Sequence, residues 1–283
     1  PRGLNHFYSL YTNGLSHKDW LVLKKDVTET ERPSGGRIVT DEDIQNEREA
    51  GMSEALIRQE FYCDFIASGD SMLYSMDAVT QAMDREPAQQ HINMPLIMGV
   101  DVARYGDDKT VFAFRRGTDM KSLPCMTFDG LSVDQVVDRI QGVARRFNVD
   151  MVYIDETGVG AGVADYCKRL QTPSRGINFA SKPLDGMKYK NKRSEMHGLL
   201  AEFLKEEPDV AIEKNKSFAA EVAAIEYHYD SNSRIQLEDK QALKKKIKVS
   251  TDVTDAYALT FAFPVPPRGA RVNRVTQVTS DWE

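Results

Sequence analysis

Residues 96–115, LIMGVDVARYGDDKTVFAFR, constrain this chain more than any other stretch. Residues 96–100 form a continuous apolar run of strand length, and residues 110–114 (TVFAF) form a second. Between them Asp101, Arg104, Gly106, Asp107 and Asp108 make a polar turn, so the two runs read as neighbouring strands. A buried strand that ends directly on a carboxylate holds that group at the sheet edge on a rigid support. Hard divalent cations take oxygen ligands and, in the case of Mg²⁺, tolerate little distortion, so Asp101 is a candidate ligand. A solvated hairpin turn explains the same residues without any metal. The rest of the chain decides between the two.

The pattern recurs. Residues 151–154 (MVYI) read as another buried strand, and it ends on Asp155 and Glu156; if the strand continues, Glu156 faces the other way. Residues 158–170 start glycine-rich and continue as a helix. A lone GxGxG is a weak phosphate signal, and here it reads as a tight turn that lets the helix sit beside Asp155. Residues 251–263 form a last helix, stopped by Pro264, Pro266 and Pro267. Asp252 in its first turn is explained by the helix dipole alone. Asp255 precedes the small and apolar AYALTFAF, so its carboxylate is expected along a buried surface. Buried carboxylates repel one another unless a cation or proton compensates. Bringing Asp101, Asp155 and Asp255 together therefore makes a divalent-metal site. Two ions roughly 3.5–4 Å apart can activate a water and stabilise the leaving oxygen of a phosphodiester.

Around this frame the chain reads as strands at 124–129 and helices at 132–147, 192–205 and 216–225. A hairpin at 227–237 turns over residues 230–233. The first 70 residues look like a small set of strands and helices. They include a strand at 21–23, a helix capped by Thr40 and Asp43, and a second helix at 53–61. Residues 68–95 read as a connection. At 283 residues the chain holds one large or two modest domains, and no run approaches the roughly 18 apolar residues of a membrane span. Cys63, Cys125 and Cys167 lack metal spacing and point to a reducing compartment. His6, His17, His91, His197 and His228 are scattered and read as structural. The net charge of −6 predicts no nucleic-acid partner, but local runs do. Lys182, Lys188, Lys190, Lys192 and Arg193 form one, and Lys240, Lys244, Lys245, Lys246 and Lys248 another. Either could follow a phosphate backbone without reading bases, or be a solvated face.

GVDVARYGDDKTVFAFRRG, YIDETGVGAGVADYCKRL and DVTDAYALTFAFP, taken in order, resemble the nuclease domain of the large terminase subunit of tailed bacteriophages, over residues 94–267. The resemblance implies an α/β fold, a ribonuclease H-like mixed sheet flanked by helices. It also implies an endonuclease that cuts concatemeric double-stranded DNA during viral genome packaging. By the same resemblance Asp101, Asp155 and Asp255 are the metal triad, with Asp107 or Asp108 an accessory acid and Asp252 a candidate only for supporting the ligands from behind. Two Mg²⁺ or Mn²⁺ ions are expected, with Asp101 bridging both, and no covalent intermediate. PRGLNHFYSLY is similar to a segment near the end of the packaging ATPase domain, most of which would lie upstream. No GxxxxGK[ST] occurs, so ATP hydrolysis is not expected of these residues. The implied organisation is residues 1–70 as the end of the ATPase domain, 71–94 as a linker, 95–267 as the nuclease, and 268–283 as a flexible tail. Lys188, Lys190, Lys192, Arg193, Lys244, Lys245, Lys246 and Lys248 are the expected DNA contacts. The implied partners are DNA, the portal protein and the small terminase subunit, with no membrane, in the host cytoplasm. Another ribonuclease H-like nuclease of resolvase or transposase type, or a non-catalytic module that docks DNA or the portal, remain alternatives.

Overall fold

A computed structural model describes residues 6–50, 52, 54–64, 72–88, 93–103, 109–238, 240, 243 and 250–266. Seven of its strands form one mixed sheet: β1 (Leu96–Asp101), β2 (Thr110–Arg116), β3 (Asp119–Met120), β4 (Met126–Phe128), β5 (Met151–Asp155), β6 (Ser174–Ile177) and β7 (Ala211–Ile212). Their order is β6-β5-β1-β2-β3-β7, with β4 also on β2. A second, two-stranded ribbon pairs β8 (Tyr227–Tyr229) with β9 (Ile235–Leu237). The helices are α1 (His6–Leu15), α2 (Asp41–Glu49), α3 (Glu54–Phe61), α4 (Met76–Asp84), α5 (Val133–Phe147), α6 (Gly160–Arg169), α7 (Lys192–Glu206), α8 (Lys216–Val222) and α9 (Asp252–Leu259). None is long and apolar enough to cross a membrane.

One topological fact positions everything that follows. β1 and β5 are parallel neighbours, with Val100 opposite Ile154, so both strands end at the same edge of the sheet. Asp101 and Asp155 each stand one residue further on. Period-two alternation then separates the faces. Leu96, Met98, Val100, Phe112, Phe114, Val152 and Ile154 pack on one side, against α5 and α6. Ile97, Val111, Ala113 and Tyr153 pack on the other, in a core built with α4, α7, α8 and α9. Asp101 shares a face with Ile97 and Asp155 with Tyr153, so both acids belong to the side on which α9 lies.

Gly99 sits between Ile97 and Asp101 on that same face. A Cβ there would fall 1.9 Å from the Ala256 carbonyl oxygen and 3.0 Å from Leu259 Cβ. The missing side chain is what lets α9 lie directly on the central strand. Residues 252–259 are buried throughout, as expected of a helix enclosed on all sides.

Several expectations change. Residues 71–94 are not a free connection: Tyr74, Met76, Val79 and Ala82 enter the core beside α7 and α8, because α4 carries apolar residues at helical spacing. Residues 21–23 are no strand, and Leu21 and Leu23 are exposed. The last helix ends at Leu259, short of the prolines, with tight turns through Ala262. The Thr40–Asp43 capping box forms as read, and a small core of Val27, Ile44 and Ile57 holds the N-terminal part together. The expected tail at 268–283 lies outside the described residues.

Candidate active site

The sheet edge that carries Asp101 and Asp155 opens into a cleft of about 590 Å³. Both acids line it, with Asp252 from α9, Lys240, Arg193 and Thr157 around them. Asp101 closes β1 and is buried. Asp155 closes β5, and its Oδ1 accepts the Thr157 backbone N–H at 2.9 Å. The turn that follows needs glycine: Gly158 has φ +74°, and a Cβ on Gly160 would lie 1.7 Å from the Asp155 carbonyl oxygen. This supports the tight-turn reading of the GxGxG run.

α9 brings two more acids. Its N-terminus is pinned by Glu221 of α8, whose Oε2 accepts the Thr254 N–H at 2.7 Å and the Thr254 hydroxyl at 2.8 Å. Burial pushes Glu221 up to about 8, against the Thr254 hydrogen bonds. Asp252 reaches the cleft, while Asp255 lies fully enclosed behind it. Both oxygens of Asp255 are engaged. Oδ1 accepts from His197 Nε2 at 2.7 Å and Arg193 Nε at 3.3 Å; Oδ2 accepts from the Thr251 hydroxyl at 2.8 Å and Lys240 Nζ at 2.8 Å.

Lys240 is the hub. Its ammonium also lies 2.9 Å from Asp101 Oδ2 and 3.2 Å from Asp252 Oδ1. Burial alone would lower its pKa, but Asp101, Asp255 and Asp252 together raise it well above the usual lysine value. Burial pushes Asp101 well above the usual carboxylate range, with Lys240 opposing and the neighbouring acids adding to it. Asp155 shifts the same way, chiefly through burial. Asp255 goes the other way: burial would raise it, yet Lys240, Arg193 and His197 hold it well below. Thus four aspartates face two cationic side chains, Lys240 and Arg193, and the cluster carries excess negative charge.

The structure brings Asp101 and Asp255 onto one ammonium and sets Asp155 on the adjacent strand end. Asp252, which the helix dipole favours at that position and the resemblance makes a supporting candidate, stands with Asp101 and Asp155 on the cleft wall. Asp107 and Asp108 lie outside the described residues, as do Lys244, Lys245, Lys246 and Lys248. The other basic run divides. Lys188 and Lys190 are half-exposed, paired with Glu202 and with Asp230. Lys192 is buried against Glu195, so as folded it offers no charge to a phosphate backbone. Arg193 is largely buried as well, but it borders the cleft and is spent mainly on Asp255. Alternating charge along 188–193 resembles a surface; only packing shows that the first turn of α7 points inward.

No protein-family model matches this chain, and no curated protein does. Solved structures do. The nuclease domain of the large terminase subunit gp2 of bacterial virus Sf6 superimposes with a TM-score of 0.57 at 18% identity, over 69% of this chain and 99% of that one. The fold is that of large terminase nuclease domains. A lysine-to-alanine mutant of the same Sf6 domain, bearing manganese and beta-thujaplicinol, gives 0.59 at 17% identity over 69% of this chain and 100% of that one. The large terminase nuclease from thermophilic phage G20c, with bound magnesium, gives 0.51 at 14% identity over 69% and 98%. The mixed α/β sheet and flanking helices expected from the three motifs are therefore present.

Two participants had no sequence signal that set them apart. His197 was one scattered histidine among five, and Lys240 one lysine in a run. Each is defined by contacts with residues far away in the chain.

Proposed function

We propose that this chain is a divalent-metal-dependent DNA endonuclease of the terminase type. The observation that carries the reading is a cleft lined by Asp101, Asp155 and Asp252 with Asp255 directly behind it, Asp101, Asp252 and Asp255 being closed upon the Lys240 ammonium. An all-oxygen donor set that already holds a cation fits Mg²⁺ or Mn²⁺. As they stand, no three acidic, histidine or cysteine side chains among the described residues are spaced to hold an ion. The space between three of the carboxylates belongs to the lysine. Asp101 and Asp155 would hold the metal, Asp255 would join through Oδ2 once Lys240 swings aside, and Asp107 or Asp108 would assist. A pair of such ions supplies an activated water and stabilises the leaving oxygen of a phosphodiester. The strand ends and α9 would set the cation positions on rigid elements, and Arg193, although paired with Asp255, borders the cleft that a phosphate would enter.

The substrate in this reading is concatemeric double-stranded DNA, with Lys188, Lys190 and residues 244–248 on its backbone. The portal protein and small terminase subunit are its partners in the host cytoplasm. The manganese and magnesium bound in the Sf6 and G20c structures support the choice of ion.

The test is incubation with supercoiled plasmid and Mn²⁺, beside an Asp101→Ala variant and a branched-DNA substrate. Metal-dependent plasmid cleavage that disappears in the variant is expected. Equal cleavage by the variant would reject the site, cleavage of branched DNA alone would favour a resolvase, and no cleavage by either protein would favour a docking module.

A further inference from the structure

Asp255 is held from behind by a chain of groups that the hydrolytic reading does not use. His197, in the middle of α7, is fully buried; its Nε2 lies 2.7 Å from Asp255 Oδ1. Its other nitrogen, Nδ1, lies 2.8 Å from the hydroxyl of Tyr74, which is buried too and comes from the segment just before α4. A carboxylate oxygen can only accept, so Nε2 carries the proton on that side. With Nε2 donating to Asp255, the ring is held between that carboxylate and the Tyr74 hydroxyl.

We propose that Tyr74 and His197 are positioning residues that aim the Asp255 carboxylate at the divalent cation and set the affinity for it. His197 ties Oδ1, which leaves Oδ2 as the oxygen turned toward Lys240. Arg193 also reaches Oδ1, but at 3.3 Å, so the shorter imidazole contact fixes the carboxylate plane. The placement of Tyr74 adds a second consequence. Leu73 N–H donates to the Ile225 carbonyl oxygen at 3.1 Å, and Arg58 of α3 reaches Asp77 of α4 at 3.1 Å. The segment that supports Asp255 is therefore tied on one side to the end of α8 and on the other to the N-terminal part of the chain.

This inference rests on the reading of Asp255 as a cation ligand, and its test separates the two. Mn²⁺ binding to the full chain is measured by titration calorimetry for the wild type, Tyr74→Phe, His197→Gln and His197→Leu, together with thermal midpoints and cleavage across a Mn²⁺ series. Tyr74→Phe removes one hydroxyl and keeps the ring. It is expected to weaken Mn²⁺ binding about tenfold, with turnover restored at saturating Mn²⁺. His197→Gln, which can place an amide N–H near the old Nε2, is expected to bind Mn²⁺ more tightly than His197→Leu. A Tyr74→Phe protein that binds Mn²⁺ like the wild type overturns the proposal, as does one whose only change is a lower thermal midpoint. A wild type that binds no Mn²⁺ removes the metal reading itself, and this inference with it. Should His197→Leu fail to fold, the comparison of Tyr74→Phe with wild type still decides.

Discussion

Gly99→Ala changes one hydrogen into a methyl group, and the geometry fixes what must follow. The new Cβ would lie 1.9 Å from the Ala256 carbonyl oxygen, where ordinary contact begins near 3.4 Å. Neither neighbour is the loose end of a side chain: one is the Ala256 backbone and the other Leu259 Cβ, both fixed on α9. The helix must therefore back off by about 1.5 Å, and Asp255, the residue before Ala256, moves with it. Overpacking of this kind costs about 1–3 kcal/mol. The substitution also stiffens the unfolded chain, which returns about 0.4–1 kcal/mol. A net loss of up to about 2.5 kcal/mol is expected, or up to about 10 °C in thermal midpoint. Activity should suffer more than stability, because misplacing a catalytic group by about 1 Å can lower the rate about 100-fold. The assay is Mn²⁺-dependent plasmid cleavage at saturating metal, read beside thermal melts. Gly142→Ala in α5 is the control: a Cβ there meets nothing within 4 Å, so it should leave cleavage intact and raise stability slightly. Wild-type cleavage by Gly99→Ala, or a raised midpoint, would refute the claim that the close approach of α9 builds the site.

Two further outcomes follow from the charges. Lys240→Ala leaves Asp101, Asp252 and Asp255 without their shared cation, so the metal-free protein should melt lower, by roughly 2–3 kcal/mol in stability. Mn²⁺ should then raise its midpoint more than it raises that of the wild type, and an equal rise in both would show that the lysine does not compete for the position. Glu221, pushed by burial to about 8 from an ordinary 4.5, binds its proton more tightly folded than unfolded. Stability from this group is therefore full below pH 4.5 and declines as pH rises toward 8, by up to a few kcal/mol. Glu221→Gln should flatten that slope in melts at pH 5 and pH 8; parallel slopes in the two proteins would contradict it.

Much of the frame was readable because it is written locally. The apolar runs at 96–100, 110–114 and 151–154 are buried on both faces, so no alternation was needed to find them, and two of them end on the acids that matter. What pairs β1 with β5 and turns both acids to one edge is the parallel topology, and the strand sequences alone do not state it. The edge pieces were invisible for another reason: β3 and β7 have two residues each, and β6, SRGI, has no apolar pattern. α4 was hidden in plain view, since Met76, Val79 and Ala82 have helical spacing but lie in a stretch that otherwise looks like a polar connection. Within the basic run at 188–193, Lys192 turns inward, because sequence shows charge and not direction. Lys192 satisfies its ammonium with Glu195 and lays it 4.2 Å from the Phe263 ring centroid, an arrangement that requires the whole C-terminal turn to be in place.

The partition of charge within the cluster says which aspartate is committed to the fold and which is left for chemistry. Asp255 has four donors on two oxygens and is held well below the usual range, with Lys240 foremost and Arg193 and His197 behind it. Asp101 is drawn the opposite way, because burial and three neighbouring acids act on it and Lys240 is the opposing charge. Asp155 has the Thr157 hydroxyl and N–H, with Lys240 adding to them, yet its burial outweighs all three. In the proposed mechanism, a divalent ion that replaced the ammonium would neutralise Asp101 and Asp155 at once, because both strand-end acids line the open cleft. Asp252 of α9 lines the same cleft, while Asp255, enclosed behind it, would still be held by His197, Arg193 and Thr251.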